Sequence, residues 1–271
     1  MTSTDRRAER EAAKLARDRR GAAIAAISTI LVLGALVLLV VTSPGWPDVR
    51  DTFFNAEVFK ESFPDIAKAF WLDIRVFVIV EAVVLVLGLG VALIRISGSP
   101  ALFPLRLLAV VYTDLFRGVP VILLVYLIGF GVPALDVNVE NVILGGIALT
   151  LCYTAYVAEV YRAGLRSVRP TQREAALAVG LSERQAMRHV VLPQAVRNVG
   201  PPLLNDFISL QKDVALIAII GVTGEAFRQA QIDASTDFNY TPLLGAALLY
   251  LAITIPMARL LDVWERRRGG R

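Results

Sequence analysis

Residues 70–94 read FWLDIRVFVIVEAVVLVLGLGVALI, an apolar run interrupted only by the charges of Asp73, Arg75 and Glu81. A helix needs about 20 such residues to cross the ~30 Å hydrocarbon layer, and a helix apolar on every face belongs inside a large core or a bilayer. The stretch is therefore predicted to span a membrane. Comparable runs occupy 22–42, 142–161 and 242–261. Two further segments follow the pattern less cleanly: 104–133 carries Asp114, Arg117 and Pro120, and 202–223 carries Asn205, Asp206, Lys212 and Asp213. The predicted fold class is an all-α integral membrane protein with about six transmembrane helices. Composition agrees, with 56% hydrophobic and 19% charged residues and a mean hydropathy of +0.60.

The apolar run at 22–42 is too long for a signal-peptide core of about 7–15 residues, and Ser43-Pro44-Gly45-Trp46-Pro47 lacks a small-residue cleavage site, so this helix is expected to anchor the mature chain. Of the 28 Lys and Arg residues, 21 fall in 1–20, 95–106, 162–197 and 259–271, and four in 43–69, 134–141 and 224–240. Arg75, Arg117 and Lys212 lie inside candidate spans. The positive-inside rule then puts both termini of a multi-pass protein in the cytoplasm. The net charge of +4 reports this topology, and nucleic-acid binding is not required to explain it. Expected segments are a cytoplasmic tail at 1–21, the extra helix at 22–42, an extracytoplasmic segment at 43–69, a membrane core at 70–262 and a cytoplasmic tail at 263–271. Asp5–Arg20 reads either as a basic tail or as a short surface helix. In 43–69, Trp46, Phe53, Phe54, Phe59 and Phe63 are placed at the interface or over helix ends, with docking of a soluble partner as the alternative. A single cysteine, Cys152, excludes an intramolecular disulfide, and a single histidine, His189, argues against a histidine-based metal or catalytic cluster.

The longest basic segment contains two helix-start patterns. Thr171-Gln172-Arg173-Glu174 and Ser182-Glu183-Arg184-Gln185 both read as capping boxes. The first predicts a helix from 172 and the second a helix ending before Pro193, with Gly180 taking the left-handed conformation that closes the first. Ala175, Ala176 and Ala178 near the turn would let another protein approach the backbone closely. A docking element and a merely helical loop with Glu174 as a cap both fit. A DNA-reading helix-turn-helix is disfavoured, because membrane helices hold both ends.

Glu174-Ala175-Ala176, three residues, Gly180, nine residues, Val190, one residue and Leu192-Pro193 resemble the EAA motif of permease subunits in bacterial ABC importers; Val190 stands where the family often has Ile. Phe116-Arg117-Gly118-Val119-Pro120, Ala155-Tyr156-Val157-Ala158-Glu159, Arg162-Ala163-Gly164, Gln172 and Leu210-Gln211-Lys212-Asp213 are similar to its polar amino-acid branch, over roughly 70–260. Val119 replaces a frequent Thr. The resemblance implies a five-helix core in a bacterial cell membrane, preceded by one additional helix. Glu174, Ala175, Ala176, Gly180, Leu192 and Pro193 would form coupling helices at 171–193 seated on a separate ATPase dimer. It also implies a second permease subunit, identical or related, an extracytoplasmic binding protein, a polar amino acid as substrate, and surrounding membrane lipid. The chain has no G-x-x-x-x-G-K-[ST] loop, so it is not itself an enzyme; ATP and Mg are expected on the partner, with no cofactor or metal in this chain.

Charges inside a bilayer cost about 2.5–3.5 kcal/mol each on insertion scales and mark paths or pairs. Asn205, Ser209 and Lys212 recur at helical spacing as one polar stripe. Lys212, with Arg75, is expected to face a substrate carboxylate, which favours glutamate or glutamine. The equal alternative pairs Lys212 with Glu81 or Asp213 as a structural tie. Tyr156 is a further candidate for the cavity wall. Glu159 and Arg162 read as a stabilising pair, and Pro120 as the first turn of a helix that shapes the cytoplasmic end. The competing function is an ion-coupled secondary amino-acid transporter using Glu81 as a relay.

Overall fold

The computed structural model describes residues 3–269, with side chains for 20–236 and 238–266, and every regular element among them is helical. Residues 1–2 and 270–271 of the two expected tails lie outside the described residues. The chain divides between Asn55 and Ala56 into two units.

In the first unit, α1 (Ser3–Val41) runs through the basic stretch into the apolar one without a break. Ala, Arg, Glu and Lys are strong helix formers, so the change of polarity at 21 does not end the helix. Its apolar part, Arg20–Val41, suits a membrane span. Pro44 prevents continuation, and the Thr42 and Ser43 hydroxyls donate to the carbonyls of Leu38 and Val40 at 2.7 Å each, satisfying the last turn. The short α2 (Trp46–Phe53) follows, with the Trp46 and Phe54 rings 6.3 Å apart.

The second unit opens with α3 (Ala56–Ile96), 41 residues long. The expected outer segment therefore already contains the first turns of this helix, where Phe59 and Phe63 stack at 4.9 Å. α4 (Phe103–Gly118) and α5 (Val121–Gly131) meet at 105°, so 104–133 is a broken pair and not one straight span. Val119 is extended and Pro120 is the N-cap of α5, one position before the expected first turn; proline disfavours helical geometry in the residue before it. Then come α6 (Asn141–Arg166), α7 (Pro170–Ala178), α8 (Glu183–Ala186), α9 (Leu192–Asp213), α10 (Ala226–Asp237) and α11 (Thr241–Gly269). By length and composition α1, α3, α6 and α11 suit a span, and the bent α4–α5 pair makes a fifth. Residues 202–223 do not form a single helix: α9 ends at Asp213, a tighter 3₁₀ run covers Val214–Ile220, and Gly221 closes it at φ +79°. The Asn141 amide donates to the Ile220 carbonyl at 2.6 Å, pinning that end to the start of α6.

Val80 and Val84 of α3, Leu149 and Cys152 of α6, Leu210 of α9 and Ile217 build the main core. At Gly88 an added Cβ would meet Val157 Cγ1 at 2.7 Å, so α3 and α6 approach as closely as a glycine permits. Small residues at such crossings hold membrane helices by contact, because lipid removes the hydrophobic drive between them. A second cluster of Ile66, Phe70, Ala226, Ala230 and Ala246 joins α3, α10 and α11.

Candidate coupling surface and substrate path

Pro170 occupies the first position of α7, after Arg169 as N-cap. Its fixed φ and missing N–H suit that place. The helix consequently starts before Thr171, which lies within the first turn, and the Thr171–Glu174 capping box is not made. At the other end Gly180 sits at φ +89°, where Leu181 N donates to Ala176 O at 3.1 Å and Gly180 N to Leu177 O at 3.0 Å. This pair of bonds is a Schellman closure, and the left-handed residue is the one glycine adopts freely. The second capping box forms as read: Gln185 N donates to Ser182 Oγ at 3.4 Å and Ser182 N to Gln185 Oε1 at 2.9 Å.

The α7–α8 turn is braced by Arg173, whose Nε and Nη2 reach the two Glu183 oxygens at 3.0 and 2.5 Å. Glu174, Ala175, Ala178 and Gly180 are exposed, and Val179 is 79% exposed. Ala176 points the other way and is buried, so close approach from outside rests on Ala175, Ala178 and Gly180. Leu192 and Pro193 are also exposed. Pro193 does not end the second helix. A π turn at Met187–Val191 carries α8 directly into α9, with Pro193 at the second position of α9, directly after the widened turn.

The residues expected along a path divide into two places. Asn205, Ser209 and Lys212 share a face of α9, with Asn205 and Lys212 exposed. Arg75 instead lines a cleft of about 390 Å³ on the outside of α3 and α6, among Ile79, Val83, Ile143, Gly146 and Thr150. That cleft does not contain Lys212. Glu81 is only 6% exposed, and no ion pair joins it to Lys212 among the described residues; the charge acting on it is that of Asp206. Asp213 accepts from the Tyr153 hydroxyl at 2.7 Å and lies within electrostatic range of Lys212. Tyr156 is half-buried; its hydroxyl donates to the Arg117 carbonyl at 3.4 Å, and the Arg117 guanidinium lies 5.8 Å from its ring centre. Glu159 does more than pair with Arg162: it also takes Arg95 at 2.8 Å and Arg117 at 3.8 Å, tying α3, α4 and α6.

Two features escaped the sequence reading. Asp206 Oδ2 is buried with no hydrogen-bond partner among the described residues, six positions before Lys212 on α9. A polar knot also joins α3, α10 and α11, in which the Tyr250 hydroxyl lies 2.8 Å from Asp73 Oδ2 and 3.0 Å from Glu225 Oε1. Glu225 caps α10 by accepting from Phe227 N at 2.9 Å and Arg228 N at 2.7 Å. Burial pushes its carboxyl above the usual range, against the pull of those N–H groups. The available signal was Asp73 inside an apolar run and Glu225 immediately before a helix, but their meeting 152 positions apart has no local signature.

Residues 85–270 match the family described as binding-protein-dependent transport system inner membrane component. The chain is 32% identical over 213 residues to the probable glutamine ABC transporter permease protein GlnM of Bacillus subtilis, covering 79% of this chain and 97% of that one. It is 31% identical over 206 residues to the arginine transport system permease protein ArtQ of the same organism, covering 75% and 92%. Among solved structures, an amino acid ABC transporter crystallised with histidines superposes with a TM-score of 0.69 at 32% identity, covering 75% of this chain and 94% of that one.

Proposed function

Because the chain belongs to the family of binding-protein-dependent transport system inner membrane components, it is the permease subunit of an ABC importer for polar amino acids, and we propose that α7 and α8 are the elements by which a separate ATPase drives it. The observation that carries this is the exposed, braced turn at Val179–Gly180. Small residues and one apolar side chain protrude there inside a ring of charge, the form of a surface seated in a partner's groove. ATP is hydrolysed on the partner subunits. Two permeases, identical or related, sit on two ATPases, and a binding protein delivers substrate from outside; the excess of Lys and Arg on 162–197 supports placing α7, α8 and both termini in the cytoplasm.

The Asn205–Ser209–Lys212 face of α9, with Tyr156 beside it, is proposed as the path. Its charges do not favour glutamate. Glu81, Asp206 and Asp213 outnumber Lys212 and the Arg117 guanidinium over Tyr156, and Arg75 opens elsewhere. Neutral amide or cationic side chains are therefore preferred, in keeping with the glutamine and arginine systems named for the relatives.

Co-expression with the ATPase tests the coupling half. Val179→Asp should release the ATPase while leaving the melting temperature of the chain unchanged; retention of the ATPase would remove α7–α8 from the interface. Competition of uptake in proteoliposomes tests the substrate half, with glutamine and arginine expected to compete and glutamate to fail.

A further inference from the structure

Where α3 and α6 end and α4 begins, at the end of the bundle from which α7 departs, a cleft of about 350 Å³ is lined by Arg95, Arg106, Arg162 and Arg166 beside Phe103 and Leu107. Four guanidinium groups meet little negative charge. Glu159 takes Arg95 and Arg162. Arg106 donates to the Ser97 carbonyl at 2.6 Å and lays its guanidinium 5.4 Å from the Phe103 ring centre. Arg166 makes no ion pair among the described residues. The other wall is apolar and open, with Phe103 and Leu107 both 54% exposed.

We propose that this cleft binds the phosphate of an anionic glycerophospholipid, with the acyl chains lying along Phe103 and Leu107. Guanidinium forks match phosphate oxygens in geometry as well as charge, and basic clefts between membrane helices on the cytoplasmic side are suited to acidic headgroups. A soluble anion would satisfy the arginines and leave the apolar wall unused. A zwitterionic lipid brings its own cation to a cleft already rich in positive charge. Arg95 and Arg162 hold the floor rigid through Glu159, which leaves Arg106 and Arg166 as the groups that close on the ligand.

The test is the apparent affinity of the full chain, purified in a neutral detergent, for dioleoyl phosphatidylglycerol, read by native mass spectrometry beside dioleoyl phosphatidylcholine and inorganic phosphate. Arg106→Gln and Arg166→Gln are each expected to weaken phosphatidylglycerol about fivefold, the weight of one membrane-facing cation, and together about 25-fold. Arg169→Gln, outside the cleft, should change nothing. Arg166 is exposed and outside the Glu159 network, so its variant tests the site even if the Arg106 variant fails to fold. Equal affinity for the two lipids, or wild-type affinity in the Arg166 variant, would overturn the assignment. Binding of inorganic phosphate as tight as that of phosphatidylglycerol would overturn it as well, by making the site one for a free anion.

Discussion

Gly180 allows the geometry of the α7–α8 turn to be separated from its contact with a partner. At φ +89° a side-chain-bearing residue pays about 1–2 kcal/mol for left-handed geometry. Space is not the obstacle, since an added Cβ meets nothing within 4 Å. Gly180→Ala therefore shifts the balance between closed and open turn by about 5–30-fold toward open. Gly180→Asn tolerates the conformation better and shifts it less. Gly180→Arg adds to the same strain a long cation on the exposed face. The assay is ATPase activity of the reconstituted importer, stimulated by loaded binding protein. Stimulation should fall in the order glycine, asparagine, alanine, arginine, with the arginine variant also losing the ATPase on purification. Wild-type stimulation in Gly180→Arg would refute the reasoning, because it would place the turn outside the coupling surface.

Gly88→Leu should destabilise the chain by about 1–3 kcal/mol, as a side chain is forced into the Val157 contact; thermal melting in detergent reads the loss. The raised carboxyl of Glu225 contributes stability that is fully present below its ordinary value of 4.5 and lost as pH rises through the folded-state value. A melting profile against pH should thus decline as pH rises from 4.5, and Glu225→Gln should flatten it. Lys212→Met is expected to change the KM for uptake; unchanged kinetics would remove Lys212 from the path and leave it a neighbour of Asp213.

The membrane class and the two short helices after α6 were legible because each rests on a local pattern: long apolar runs, a glycine at a helix end, a serine three residues before Gln185. The Thr171 box failed by two positions because Pro170 competes for the same helix start, and a fixed φ outweighs a side-chain cap. Pro193 was read as a stop, whereas a π turn before it moves the proline into a first turn; nothing in Met187–Val191 announces that widening. The span at 202–223 was misjudged because its second half is apolar enough for a bilayer, yet it is drawn into a tight run captured by Asn141, a contact 79 residues distant in sequence. Arg75 was joined to the Asn205–Ser209–Lys212 stripe by charge, and charge does not report that Arg75 lines a cleft of α3 and α6 that Lys212 does not reach.

From Glu183 to Asp213 the backbone remains helical through the π turn, with no loop between the exposed α7–α8 turn and the polar face that carries Lys212. At 1.5 Å per residue this is a path of roughly 45 Å along the helix, with Pro201 and Pro202 within it. The π turn, with its i→i+5 bonds, and the Pro201–Pro202 pair are the two places where such a shaft can bend or twist, so a motion at the α7–α8 turn reaches Lys212 only through both.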